Sequence, residues 1–75
     1  MIDVPRKSWV IASDVSSRDG IGVELLLDEK IVLEIFRDDT KKTREVTFFQ
    51  KEVSLALLEE SIEKFKKEIP WEFLD

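Results

Sequence analysis

The segment Ile21–Arg37, IGVELLLDEKIVLEIFR, constrains this chain more than any other, because apolar residues alternate along both sides of one short polar turn. Side chains on a strand point to opposite faces with period two. Val23, Leu25 and Leu27, followed by Ile31, Leu33 and Ile35, therefore make one wholly apolar face of a hairpin. Glu24, Leu26, Val32, Glu34 and Phe36 make the other, which mixes apolar and acidic groups. The first face is expected to sit on a core, and the second to face outward.

The buried pattern also selects a register. A two-residue loop would pair Leu27 with Lys30 and bring Lys30 and Glu34 onto the apolar face. A three-residue loop, Asp28–Lys30, pairs Leu27 with Ile31, Leu25 with Leu33 and Val23 with Ile35. The longer loop is expected, with Lys30 in the left-handed region. It sets Gly22 opposite Phe36, whose ring can cover bare glycine backbone, and it sets Glu24 opposite Glu34. Like charges placed directly opposite destabilise a sheet, so that pair calls for an explanation beyond folding.

Around the hairpin the chain reads as four strands and a helix. The strands are expected at about 8–13, 21–27, 31–37 and 44–50. In the first, Trp9 and Ile11 share one side and Val10 and Ala12 the other. Ser16, Ser17, Asp19 and Gly20 mark a loop by their turn chemistry. In the fourth, parity places Val46 near Ile35 and Phe48 near Leu33, on the helix side. Ser54 is a suitable N-cap for a helix over about 54–69, and Leu55, Leu58, Ile62, Phe65 and Ile69 recur at spacings of three and four. Glu60 with Lys64 and Glu63 with Lys67 are acid-before-base pairs four apart. Pro70 stops the helix, and 70–75 is an aromatic tail. The expected architecture is one small α+β domain over residues 1–75, a four-stranded antiparallel meander with one C-terminal helix packed on one face (ββββα). A single helix leaves the other face open.

Composition narrows the chemistry. The 75 residues include no cysteine and no histidine, which excludes disulfides, zinc held by Cys and His, and a Ser-His-Asp mechanism. A chain this short commonly needs an added device for stability, and self-association is the common one that remains. The net charge of −5, with 39% charged residues, works against binding a phosphate backbone. The only apolar run in the first twenty residues, Trp9–Ala12, is too short for a signal-peptide core or a membrane span. The expectation is a soluble, cytoplasmic, non-catalytic protein with no metal and no cofactor.

Four places could carry a function. The outer sheet face, with Glu24, Leu26, Val32, Glu34, Phe36, Thr47 and Phe49, is an apolar patch rimmed by charge, the usual mark of an interaction surface. Its glutamates lie on an open strand face, without the concave pocket that acid–base catalysis needs. The loop Arg37–Arg44 offers Lys41, Lys42 and Arg44 as phosphate contacts, although such runs commonly pair internally. Arg18–Gly22 has two glycines spaced like a phosphate-binding turn, but a strand follows where a helix N-terminus is required. Trp71 and Phe73 either close the open end of the core or anchor a partner.

The order of elements, with VTFFQKEVSLALLEESIEKF running from a strand through a polar bridge into an amphipathic helix (Val46–Phe65), resembles PC4-like and Pur-alpha-like domains that bind single-stranded nucleic acid. That resemblance implies dimerisation and binding of single strands on the sheet face. Phe36 and Phe49 would then stack on bases. Glu24, Glu34 and Glu45 depart from it, standing where phosphates favour Lys and Arg. The sequence therefore favours a protein-interaction module, self-associating through the outer sheet face. A single-strand binder is the first alternative. An acidic inhibitor or immunity-type protein, with Glu24 and Glu34 as counter-charges to a basic partner, is the second.

Overall fold

The computed structural model describes residues 4–16 and 18–74; Ser17 of the first loop and Asp75 of the tail lie outside the described residues. Four antiparallel strands form one sheet in sequence order: β1 (Lys7–Asp14), β2 (Gly20–Leu27), β3 (Lys30–Asp38) and β4 (Thr43–Phe48). A single helix, α1 (Leu55–Glu68), follows and packs on one face, giving the ββββα arrangement read from the sequence. No helix among the described residues is long and apolar enough to cross a membrane.

The middle of the hairpin has the expected register, with Val23 opposite Ile35, Glu24 opposite Glu34 and Leu25 opposite Leu33. Toward the turn the expectation fails. The loop has two residues, Asp28 and Glu29, both left-handed (φ 49° and 70°), and Lys30 pairs with Leu27. The expected left-handed Lys30 and the Leu27–Ile31 pair are both corrected. A two-residue turn with positive φ at both positions matches strand twist best. The polarity conflict it creates is removed by a bulge, because the register jumps between Leu25 and Leu26 and leaves Val32 as an extra residue on β3. Val32 thereby joins the core instead of the outer face, and Ile31 moves opposite Leu26.

The core is the layer between sheet and helix. Val23, Leu25, Val32, Leu33 and Ile35 from the sheet meet Phe65 and Ile69, with Trp9, Leu27, Val53 and Leu57 packed around them. Ser54 caps α1, its Oγ accepting the Leu57 N–H. Ser61 is the one polar residue of the helix that is fully buried, and it is satisfied twice: it accepts the Trp9 indole N–H at 3.0 Å and donates to the Leu57 carbonyl at 2.8 Å. Glu60 pairs with Lys7 across to β1 at 3.0 Å, and Lys64 lies 5.1 Å from the Trp9 ring centre. Both residues thus reach toward β1, although the sequence suggested that they pair with each other.

The helix covers β1, β2 and β3 but makes no comparable contact with β4. Val46 and Phe48 do lie on the helix side, opposite Ile35 and Leu33 as parity required, yet they remain 41% and 50% exposed. Leu55, expected on the buried stripe, is exposed as well.

Candidate interaction surface

The face of the sheet away from α1 has two dissimilar ends. At one end the strands are held together by Arg18, which rises from the β1–β2 loop. Its guanidinium donates to both oxygens of Glu34, at 2.7 and 3.1 Å, and its Nε donates to Asp14 at 3.2 Å. The same group lies 3.8 Å from the centre of the Phe36 ring. Phe36 in turn covers Gly22, its partner across the hairpin, as the sequence suggested, and approaches Gly20 too. The result is a stack of glycine backbone, phenyl ring and guanidinium. It buries Phe36 and leaves Glu34 only 6% exposed.

This stack answers the problem of the opposed glutamates. Glu34 is a paired carboxylate, and its bidentate geometry is the strong form of the interaction. The Arg18 guanidinium is held charged more firmly than usual, first by the bonds to Glu34 and then by those to Asp14. Asp14 is held below the usual carboxylate range by the N–H and hydroxyl of Ser16, with Arg18 adding to the effect. Glu24 has no such partner among the described residues and stays half-buried on the same face.

At the other end, nearer the β2–β3 turn, the face is apolar. Leu26 and Ile31 are paired neighbours, Val10 lies diagonally from Leu26, and Phe49 follows β4 with its N–H bonded to the Val32 carbonyl at 2.8 Å. Val10 and Phe49 are 45% and 49% exposed. Ile31 belongs to this row only because the bulge turned it outward.

The sequence-predicted surface is therefore divided. Glu24, Leu26, Thr47 and Phe49 lie at or near the open face. Val32 is in the core, and Phe36 and Glu34 lie beneath or beside Arg18. Arg18 and Ile31 were missed. A lone arginine in a polar loop carries no sign of its destination, and the bulge has no residue signature.

The basic loop is folded onto the chain's own C-terminal tail. Arg44 donates to the Trp71 carbonyl at 3.1 and 2.6 Å, with its guanidinium 3.7 Å from the Trp71 ring centre and 4.2 Å from that of Phe73. Lys42 donates to the Leu74 carbonyl at 2.7 Å, and Lys41 lies 3.7 Å from Glu45. Arg37, nearly buried, holds both oxygens of Asp39 and the Pro70 carbonyl. Burial pushes the Asp39 carboxyl up, but Arg37, the Leu74 N–H and Lys42 together hold it below the usual range. Trp71 also meets Phe65 edge to face at 6.4 Å, while remaining 48% exposed.

No family model matches this chain, and comparisons with curated proteins and with solved structures return no significant match.

Proposed function

We propose that this protein is a non-catalytic protein-interaction module whose outer sheet face docks on another protein. The carrying observation is the row Val10, Leu26, Ile31 and Phe49, which the helix leaves uncovered and which borders Glu24, a carboxylate with no ion-pair partner among the described residues. An uncovered apolar row of this kind fits sheet packing against a second surface. Two copies of this face would bring Glu24 and Glu45 of each together, so the better complement is an apolar surface of a different protein that carries a Lys or Arg for Glu24. Self-association, the simpler expectation from sequence, fits a different part of the molecule.

The alternatives lose support from the same geometry. Phe36 is covered, so it offers no stacking platform for a base, and Lys42 and Arg44 are engaged by the tail. Glu34 is neutralised internally by Arg18, which removes one of the two counter-charges an acidic inhibitor would use.

The test compares affinity capture by wild type, Ile31→Glu and Glu24→Lys, each first checked for native circular dichroism. A protein captured by wild type should be lost with both variants, and the purified pair should reproduce this by titration calorimetry. Equal capture by all three would refute the assignment of this face.

A further inference from the structure

We infer that β4 is a self-complementary edge, and that two copies of this chain pair antiparallel along it, about a two-fold axis through Val46, into one eight-stranded sheet. The inference is independent of the partner-binding face, since it concerns the strand edge and the helix side of β4.

Three observations carry it. First, β4 has β3 on one side and, among the described residues, no strand on the other. The bond from the Phe49 N–H to Val32 fixes how its backbone alternates: Phe49, Thr47 and Glu45 point toward β3, so Arg44, Val46 and Phe48 present their N–H and C=O groups outward. Second, among the described residues β4 lacks most of the devices that usually protect an edge. Thr43–Phe48 contains no proline and no lysine, and the register irregularity of the sheet lies elsewhere, between β2 and β3. The two charges of the strand are folded onto their own chain, Arg44 on Trp71 and Glu45 on the Thr43 hydroxyl at 2.6 Å. Third, the helix stops short, so Val46 and Phe48 stay open, and Phe48 lines a groove with Val53 and Leu58.

The choice of occupant follows from register. In antiparallel pairing, opposite residues share a face. Centring the axis on Val46 sets Val46 against its own copy, Arg44 against Phe48 and Glu45 against Thr47. Apolar then meets apolar, Phe48 comes beside an Arg44 already held on Trp71 and Phe73, and no like charges face each other. Centring it on Glu45 or Arg44 opposes identical charges. Centring it on Thr47 shortens the overlap to the last three residues of the strand. Axes between residues oppose Val46 to Glu45 or Thr47, whose backbone groups point to β3, so no ladder forms. Only the Val46 axis uses nearly the whole strand, joins the two exposed Val46–Phe48 rows on the face that carries both helices, and exchanges hydrogen bonds through the outward groups of Val46.

Sedimentation equilibrium of the full chain should give twice the monomer mass. Val46→Pro deletes an outward N–H that takes no part in the ladder with β3, and should weaken association at least about tenfold, the loss expected for a pair of hydrogen bonds at the axis. Ile31→Glu, on the other face, should leave the mass unchanged. Because the chain has no cysteine, Val46→Cys should cross-link to a covalent dimer on mild oxidation, while Ile11→Cys on the opposite edge should not. A wild type that stays monomeric at millimolar concentration overturns the inference. So does a dimer that Val46→Pro leaves intact and that Val46→Cys fails to trap.

Discussion

The Arg18 guanidinium lies 3.8 Å from the centre of the Phe36 ring while it holds both carboxylate oxygens of Glu34. One side chain thereby covers an aromatic ring on a face the helix never reaches and neutralises a nearly buried acid that faces Glu24 across the hairpin. Removing Arg18 would leave Glu34 desolvated, unpaired and opposite a like charge. Arg18→Ala is expected to cost about 2–3 kcal/mol, below the cost of breaking a fully buried pair because Arg18 is partly exposed. Glu34→Gln, which leaves the partly solvated arginine in place, should cost less. Urea denaturation of the two variants checks the order, and equal losses would contradict it.

Under the same ring, Gly22 is a site of close approach. A methyl group there would lie 2.5 Å from the Ile35 carbonyl and 3.0 Å from the Phe36 ring edge. Neither the ladder backbone nor a ring pinned under Arg18 can yield easily. Gly22→Ala is expected to destabilise by about 2–3 kcal/mol through overpacking, although alanine ordinarily improves on glycine in a strand. A thermal melt of the variant measures the sign directly.

Acid should loosen the end of the sheet opposite the β2–β3 turn, where Asp14 and Asp39 both lie. Asp14 is lowered chiefly by Ser16, and Asp39 is lowered on balance because Arg37, Leu74 and Lys42 outweigh its burial. A carboxylate whose folded pKa lies below its unfolded value contributes stability that is complete above the unfolded value, about 3.9 for Asp, and lost as pH falls through the folded value. With no histidine in the chain, unfolding free energy should stay flat from about pH 8 to 5 and fall below about pH 4. Asp39→Asn should be less stable at neutral pH and show a shallower acid decline. An unchanged acid slope would mean that Asp39 does not contribute to it.

The alternation of Val23, Leu25, Leu33 and Ile35 was legible because one face is buried, and burial makes a register slip costly. The helix was legible for the same reason, and its cap at Ser54 is a local matter of side-chain chemistry. What escaped were long-range or compensated features. The bulge at Val32 reconciles a favourable turn with a favourable core, and either alone misleads. Arg18 reaches Glu34 sixteen residues away. Exposure at Val46 and Phe48 depends on where the helix axis crosses the sheet, which a parity rule does not fix. The candidate surface was thus found as a face, while its exposed members were set by packing.

The turn itself supplies the last prediction. Asp28 and Glu29 both carry positive φ, and neither is glycine. Asp28 has a local reason to be there: its carboxylate accepts the Arg6 N–H at 3.0 Å, and its own N–H donates to the Arg6 carbonyl, tying the chain ahead of β1 to the turn. No comparable bond through the Glu29 side chain is present among the described residues, so its left-handed backbone is a cost without an evident return. Glu29→Gly should stabilise the fold by about 1 kcal/mol, the scale of the left-handed penalty for a residue with a Cβ less the entropy glycine adds to the unfolded chain. Lys30→Gly tests the discarded register, in which the left-handed residue would be Lys30. In the two-residue turn Lys30 is an ordinary strand residue paired with Leu27, so Lys30→Gly should destabilise. Opposite signs for the two substitutions in a denaturant titration would support the bulged hairpin, and the reverse pattern would restore the three-residue loop.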